Sequence, residues 1–231
     1  MIPAEIAPAE LRWGPSYRLV PSHFPPIDLF ERVAVPADLD TVFAVEALTN
    51  PRLRQEAGEI SLVPRDERVS GPGSSPIMAA FTHLNPYGSR FSQGTYGVYY
   101  AAKALVTAVR EVSHHQSLFL AATSEGPMSI DMRCYRAAIK QPLHDIRGEN
   151  ERLPEVYARD HYGASQRFGA SLRETGSWGI VYDSVRDAGG ECIAIFRPRA
   201  LGPAVQGEHV SLQWNGQQVD SWYVKSELHR L

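Results

Sequence analysis

The stretch Ser89-Arg-Phe-Ser-Gln-Gly-Thr-Tyr-Gly-Val-Tyr-Tyr-Ala-Ala-Lys-Ala-Leu-Val-Thr-Ala-Val-Arg-Glu111 passes through three local codes. Ser89 to Gly97 is polar and glycine-bearing, which predicts a loop, and it carries Arg90. Val98-Tyr99-Tyr100 is β-branched and aromatic, which predicts a short strand. Leu105, Ala108, Val109 and Val112 then recur at i, i+3, i+4 and i+7, the spacing of a helix with one inward apolar stripe. Strand side chains alternate between faces, so one of Tyr99 and Tyr100 is expected in the core. Glu111 lies about 60° around the helix from Ala108 at roughly 100° per residue, at the edge of the stripe. That position suits a solvated glutamate, which spacing alone favours, or a carboxylate half-buried beside a cleft.

Upstream of this stretch the first 27 residues are proline-rich, with Tyr17-Arg18-Leu19-Val20 as a short strand. Asp28-Leu-Phe-Glu31 has capping-box character and predicts a helix start. A clearer helix is expected from Asp38 or Asp40, with Leu39, Val42, Phe43 and Ala47 on one face, ending at Asn50-Pro51. Ile60–Val63 reads as a strand and Ser70–Pro76 as a loop or hinge. A short helix then follows through Ile77, Ala80 and Phe81.

Downstream, the helix of Glu111 is expected to reach His115. Met128, Ile130, Met132 and Cys134 alternate with polar residues as in a half-buried strand. Residues 142–154 are polar and irregular. A helix is expected over 155–174, with His161, Ser165, Phe168 and Leu172 on one face. Trp178–Tyr182 and Cys192–Phe196 read as strands around a loop holding Ser184 and Arg186. His209–Trp214 and Gln218–Val224 flank Asn215-Gly216, a strong hairpin signal. Helices early and strands concentrated late predict an α+β fold rather than a doubly wound parallel sheet.

The chain of 231 residues is 43% hydrophobic and 21% charged, within the range of globular proteins. A net charge of −3 argues against nucleic-acid binding, which leaves a basic footprint. Cys134 and Cys192 fall in separate apolar runs and are expected to be buried and reduced. With His114-His115 they lack the paired spacing of a structural zinc site, so no metal is expected. No phosphate-cradling Gly-rich loop and no dinucleotide fingerprint occurs. The N-terminus lacks the basic and apolar regions of a signal peptide, and no apolar run reaches membrane-spanning length, so a cytoplasmic location is expected.

Four motifs in order resemble the RES domain, named for its Arg, Glu and Ser. They are Tyr17-Arg18-Leu19, the Arg90 loop, Tyr100 with Glu111 eleven residues later, and Gly179-Ile-Val-Tyr-Asp-Ser-Val-Arg186 followed by Gly189-Gly190. Phe91 and Ser92 stand where that family more often has Trp and Asn. The resemblance implies one domain over 1–231, with about residues 1–75 as an elaboration. It also implies a fold similar to diphtheria-toxin-like ADP-ribosyltransferases, a split, mostly antiparallel sheet with peripheral helices. It further implies the toxin of a bacterial type II toxin–antitoxin pair that consumes NAD. A helix-turn-helix antitoxin would block the cleft, and ADP-ribose would pass to a host protein. Water or phosphate as acceptor would give a glycohydrolase or phosphorylase, and a non-catalytic nucleotide-binding module is the alternative outside enzymology.

Breaking the nicotinamide–ribose bond needs neither metal nor general acid, because the pyridinium leaves as a neutral base. The ribose becomes oxocarbenium-like, and a carboxylate beside it stabilises that charge. The resemblance places Glu111 in this role and Tyr100 against the nicotinamide. Arg18 and Arg90 would fork onto the pyrophosphate, with Ser184 on a phosphate or ribose oxygen. Read without the family, Arg18 and Arg90 are surface arginines and Ser184 a turn residue bonding its own backbone.

Overall fold

Strand β3 (Tyr99–Ala102) and strand β2 (Ser16–Pro21) meet at the centre of the sheet and define the architecture. The computed structural model describes residues 6–22, 29–32, 36–39, 41 and 58–226. In chain order the other strands are β1 (Pro8–Ala9), β4 (Met128–Ala137), β5 (Leu143–Asp145), β6 (Gly179–Asp183), β7 (Glu191–Ile195), β8 (Val205–Trp214) and β9 (Val219–Val224). Among the described residues the α-helices are α1 (Leu29–Arg32), α2 (Ser75–Thr82), α3 (Leu105–Ala121) and α4 (Gly163–Glu174). The nine strands order as β1-β5-β6-β7-β3-β2-β4-β8-β9. All neighbours run antiparallel except β5 and β6. The architecture is the expected α+β, mostly antiparallel class.

The sheet is nearly split. β3 pairs with β7 from Tyr99 to Ala102, and β2 pairs with β4 along its whole length. Between them β2 and β3 register at one position, Tyr17 opposite Ala102. Beyond it the strands part, and the guanidinium of Arg18 reaches across to donate from Nη1 to Tyr100 O at 3.2 Å.

Each face carries its own core, as alternation along the strands requires. Tyr99, Ala101, Val181, Ile193 and Ile195 pack under α2 with Ile77, Met78 and Phe81. Ala102, Cys192, Ala194, Ile180 and Leu19 pack on the opposite face with Ala108 and Val109 of α3 and Phe168 and Leu172 of α4. α3 spans the seam, packing on β2 and β9 of one half and on β3 and β7 of the other. The expected stripe is present, with Thr107 buried beside Ala108 and Val109. Cys134 and Cys192 are buried and unbonded to each other.

Several expectations need correction. Ile60–Leu62 is a 3-10 turn rather than part of a strand, because Glu59 Oε1 accepts from Ser61 N and Oγ and captures the backbone locally. Ile60 and Val63 still bury their side chains, at i and i+3. α3 runs past His115 to Ala121, where Leu120 is buried. Residues 142–154 contain β5, in parallel register with β6. The helix expected over 155–174 begins only at Gly163, and His161 is exposed. Its first turns are lost because the carbonyls of Val156 and Ala158 accept from Arg90 Nη1. Most of the helix expected between Asp38 and Asn50 lies outside the described residues. Within them are the Pro36–Asp38 turn and buried Leu39.

Gly97 lets the chain entering β3 pass against α2. An added Cβ would lie 2.3 Å from Phe81 Cα and 2.4 Å from Ala80 O, both backbone atoms that cannot swing away. Gly97→Ala should therefore cost about 1–3 kcal/mol of overpacking. That is roughly 2–12 °C in Tm for a chain of this size. Gly126→Ala, with nothing within 4 Å, is the control and should leave Tm nearly unchanged in thermal unfolding.

Candidate active site

A cleft of about 590 Å³ opens where β2 and β3 part. It falls in the size range of ligand pockets, roughly 300–1,000 Å³. Arg18, Arg90, Tyr100 and Glu111 all line it, from four separate elements. Ser184 is absent from the lining and lies behind it, bonded to Glu111.

Tyr99 and Tyr100 divide as alternation predicts. Tyr99 is fully buried under α2, and Tyr100 faces the cleft. The Tyr100 hydroxyl accepts from Phe91 N at 2.9 Å and shares a hydrogen bond with Ser89 Oγ at 2.8 Å. It thus pins both neighbours of Arg90. Burial pushes its pKa well above the usual phenol value, so it remains a neutral hydrogen-bonding group. Gln166 of α4 clamps the same loop, donating from Nε2 to Ser89 O at 3.0 Å and Ser92 O at 3.3 Å. Inside the loop, Ser92 Oγ donates to Tyr96 O at 2.7 Å and Tyr96 Oη to Phe91 O at 2.5 Å.

Arg90 is only 8% exposed. Its Nη1 donates to Val156 O at 3.1 Å and Ala158 O at 2.9 Å, and its guanidinium lies 4.7 Å from the Tyr162 ring centroid. Arg18 lies 4.8 Å from the Tyr99 ring centroid, and burial pulls its pKa below the ordinary arginine value. Its Nε is buried without a hydrogen-bond partner. Carbonyls and ring faces orient these cations but do not neutralise them. Among the described residues neither arginine forms a salt bridge, so two positive charges converge on the cleft.

Glu111 projects from α3 into the cleft and is half-buried. Its Oε1 accepts from Ser184 Oγ at 2.5 Å. Ser184 Oγ itself accepts from Arg186 N at 3.1 Å and Asp187 N at 2.9 Å. With both lone pairs engaged, its single proton is directed at the carboxylate. The Cys192 thiol also lies near, with Sγ 3.9 Å from Glu111 Oε1, and burial pushes its pKa up and keeps it protonated. Among the described residues no cluster of metal-ligating side chains occurs. No helix there is long and apolar enough to cross a membrane.

Sequence reasoning missed Gln166 and the carbonyls of Val156 and Ala158. A glutamine on a helix and two backbone oxygens carry no motif, and only the fold brings them to the Arg90 loop.

Comparison with known proteins follows the same lines. Residues 65–215 match the family described as the RES domain. The chain is 30% identical over 210 residues to the uncharacterised protein y4oC of Sinorhizobium fredii, spanning 90% of this chain and 86% of that protein. The crystal structure of the M. tuberculosis MbcT-MbcA toxin-antitoxin complex aligns with a TM-score of 0.46 at 13% identity, over 87% of this chain and 84% of that one.

Tyr100→Phe should expose how far the hydroxyl holds the Arg90 loop. It leaves the Phe91 N–H without its partner, a loss of about 1–3 kcal/mol. Denaturant unfolding should show that loss, and hydrogen exchange at the Phe91 amide should accelerate well beyond the global change.

Proposed function

Because the chain belongs to the RES-domain family, we propose that it is an NAD-consuming toxin that cleaves the nicotinamide–ribose bond and transfers ADP-ribose to a protein. The observation that carries this reading is the Ser184–Glu111 hydrogen bond at 2.5 Å, beside a cleft lined by Arg18 and Arg90. A carboxylate held by a fixed donor, facing a cleft with two unneutralised cations, matches a substrate that develops positive charge next to a pyrophosphate.

In this reading the pyrophosphate sits against Arg18 and Arg90, whose planar forks bind two oxygens at once. The Tyr100 ring walls the nicotinamide side. As the C–N bond lengthens, its electron pair returns to the pyridinium ring and nicotinamide leaves neutral. Glu111 faces the ribose and stabilises the oxocarbenium charge, more strongly as water is excluded. Ser184 acts on Glu111 rather than on a phosphate or ribose oxygen, since its one proton points to the carboxylate. In this reading Tyr87, 93% exposed on a turn that lines the cleft and is fixed by Asn85, is a contact for the protein acceptor.

The partner follows from the same charges. An antitoxin of the helix-turn-helix type would silence the enzyme by placing an acidic side chain or terminal carboxylate against Arg18 and Arg90.

Glu111→Gln should lower NAD cleavage by about 10²–10³-fold, the scale of losing one preorganised electrostatic group, with an unchanged fold. Near wild-type turnover in that variant would remove Glu111 from the chemistry. Arg18→Lys and Arg90→Lys should each weaken NAD binding roughly 10- to 100-fold, measured by calorimetric titration. With NAD labelled on its adenosine, label on protein supports transfer. Label confined to small molecules would assign hydrolysis or phosphorolysis instead. NAD and antitoxin should compete, and equal NAD affinity in the free and complexed protein would contradict occlusion.

A further inference from the structure

Asp187 is a buried carboxylate, 7% exposed, in the loop between β6 and β7, and the NAD chemistry above assigns it no role. Its side chain is bound entirely to α3. Thr107 Oγ1 donates to Oδ2 at 2.6 Å, and Arg110 pairs with Oδ1. Its backbone closes the same loop: Asp187 N donates to Ser184 Oγ at 2.9 Å, and Gly190 N donates to Asp187 O at 2.9 Å. Ser184 N donates in turn to Gly190 O at 2.8 Å.

The loop therefore touches α3 at two points. Asp187 grips Thr107, and Ser184 grips Glu111, four residues further along and on the same side of the helix. The close approach requires Gly190. A Cβ there would lie 2.7 Å from Thr107 Cγ2 and 2.8 Å from Asp187 Oδ2. We propose that Asp187 is a positioning residue: by locking the Ser184–Gly190 loop to Thr107 and Arg110 it aims the Ser184 proton at Glu111, and so orients the carboxylate that faces the substrate. This rests on the reading of Glu111 as the catalytic carboxylate.

A residue that acts through Ser184 has a signature that a merely structural one lacks. Once Ser184 cannot donate, Asp187 has nothing left to aim. The test is a double-mutant cycle on NAD cleavage with wild type, Ser184→Ala, Asp187→Asn and the double variant. Each single change should lower kcat about 10- to 100-fold, the scale of a misplaced catalytic group, with KM for NAD within about twofold. The double variant should be no slower than Ser184→Ala alone. Additive losses, or wild-type kcat in Asp187→Asn, overturn the proposal. If Asp187→Asn does not fold, Thr107→Val, which keeps the shape and removes the donor, enters the same cycle. A wild-type protein that cleaves no NAD would instead defeat the reading of the site. The positioning claim is then judged on crystal structures of wild type and Asp187→Asn, where the Ser184 Oγ–Glu111 Oε1 bond should be present in the first and broken in the second. An intact bond in both overturns it.

Discussion

β2 and β3 share a single ladder position, Tyr17 opposite Ala102, and the cleft exists because their pairing stops there. A sheet paired along its whole length at this point would have no cleft. A sheet fully divided would leave a row of unpaired backbone groups in the interior, which costs free energy for each orphan. Here the gap opens just beyond Tyr17 and Ala102, and Arg18 satisfies Tyr100 O from the other half. The cation that marks the seam is therefore also part of the wall that joins it. α3 crosses the seam above, so Glu111 projects over the opening and not over continuous sheet.

Around this opening the side chains that line the cleft are held by hydrogen bonds from several elements. Tyr100 and Gln166 hold the Arg90 loop, and the carbonyls of Val156 and Ala158 orient the guanidinium. Ser184, with its acceptor sites filled by the amides of Arg186 and Asp187, donates to Glu111. Under the proposed function, preorganisation of this kind would place charge before substrate arrives, so that little reorganisation is needed as the transition state forms. The cations are oriented by neutral carbonyls and aromatic faces, which leaves their charge available to an anion.

Much of this was legible in the sequence because local codes agree with the fold. The aromatic strand, the helix period after Leu105 and the Asn215-Gly216 hairpin each carry a strong short-range signal, and each appears in the structure. Alternation put one of Tyr99 and Tyr100 in the core, and in the structure it is Tyr99. Two failures occur where a side-chain hydrogen bond, distant or local, overrides the preference of the segment. Residues 155–162 have helical composition, but Arg90 takes two of their carbonyls. Ile60–Val63 has strand composition, but Glu59 and Ser61 capture its backbone. The role of Ser184 could not be read because one hydroxyl serves equally as ligand contact, turn residue or donor to a carboxylate. In the structure the hydroxyl donates to Glu111 and accepts from the amides of Arg186 and Asp187, an arrangement that no local motif announces.

In the proposed function NAD spans the seam with its reacting ribose at Glu111 and its pyrophosphate between the two arginines. A crystal structure of the Glu111→Gln protein with NAD should then show intact NAD in the cleft, the nicotinamide ribose beside position 111, and pyrophosphate oxygens within hydrogen-bond distance of Arg18 and Arg90. NAD bound outside this cleft, or lying in it with its pyrophosphate away from both arginines, would contradict it.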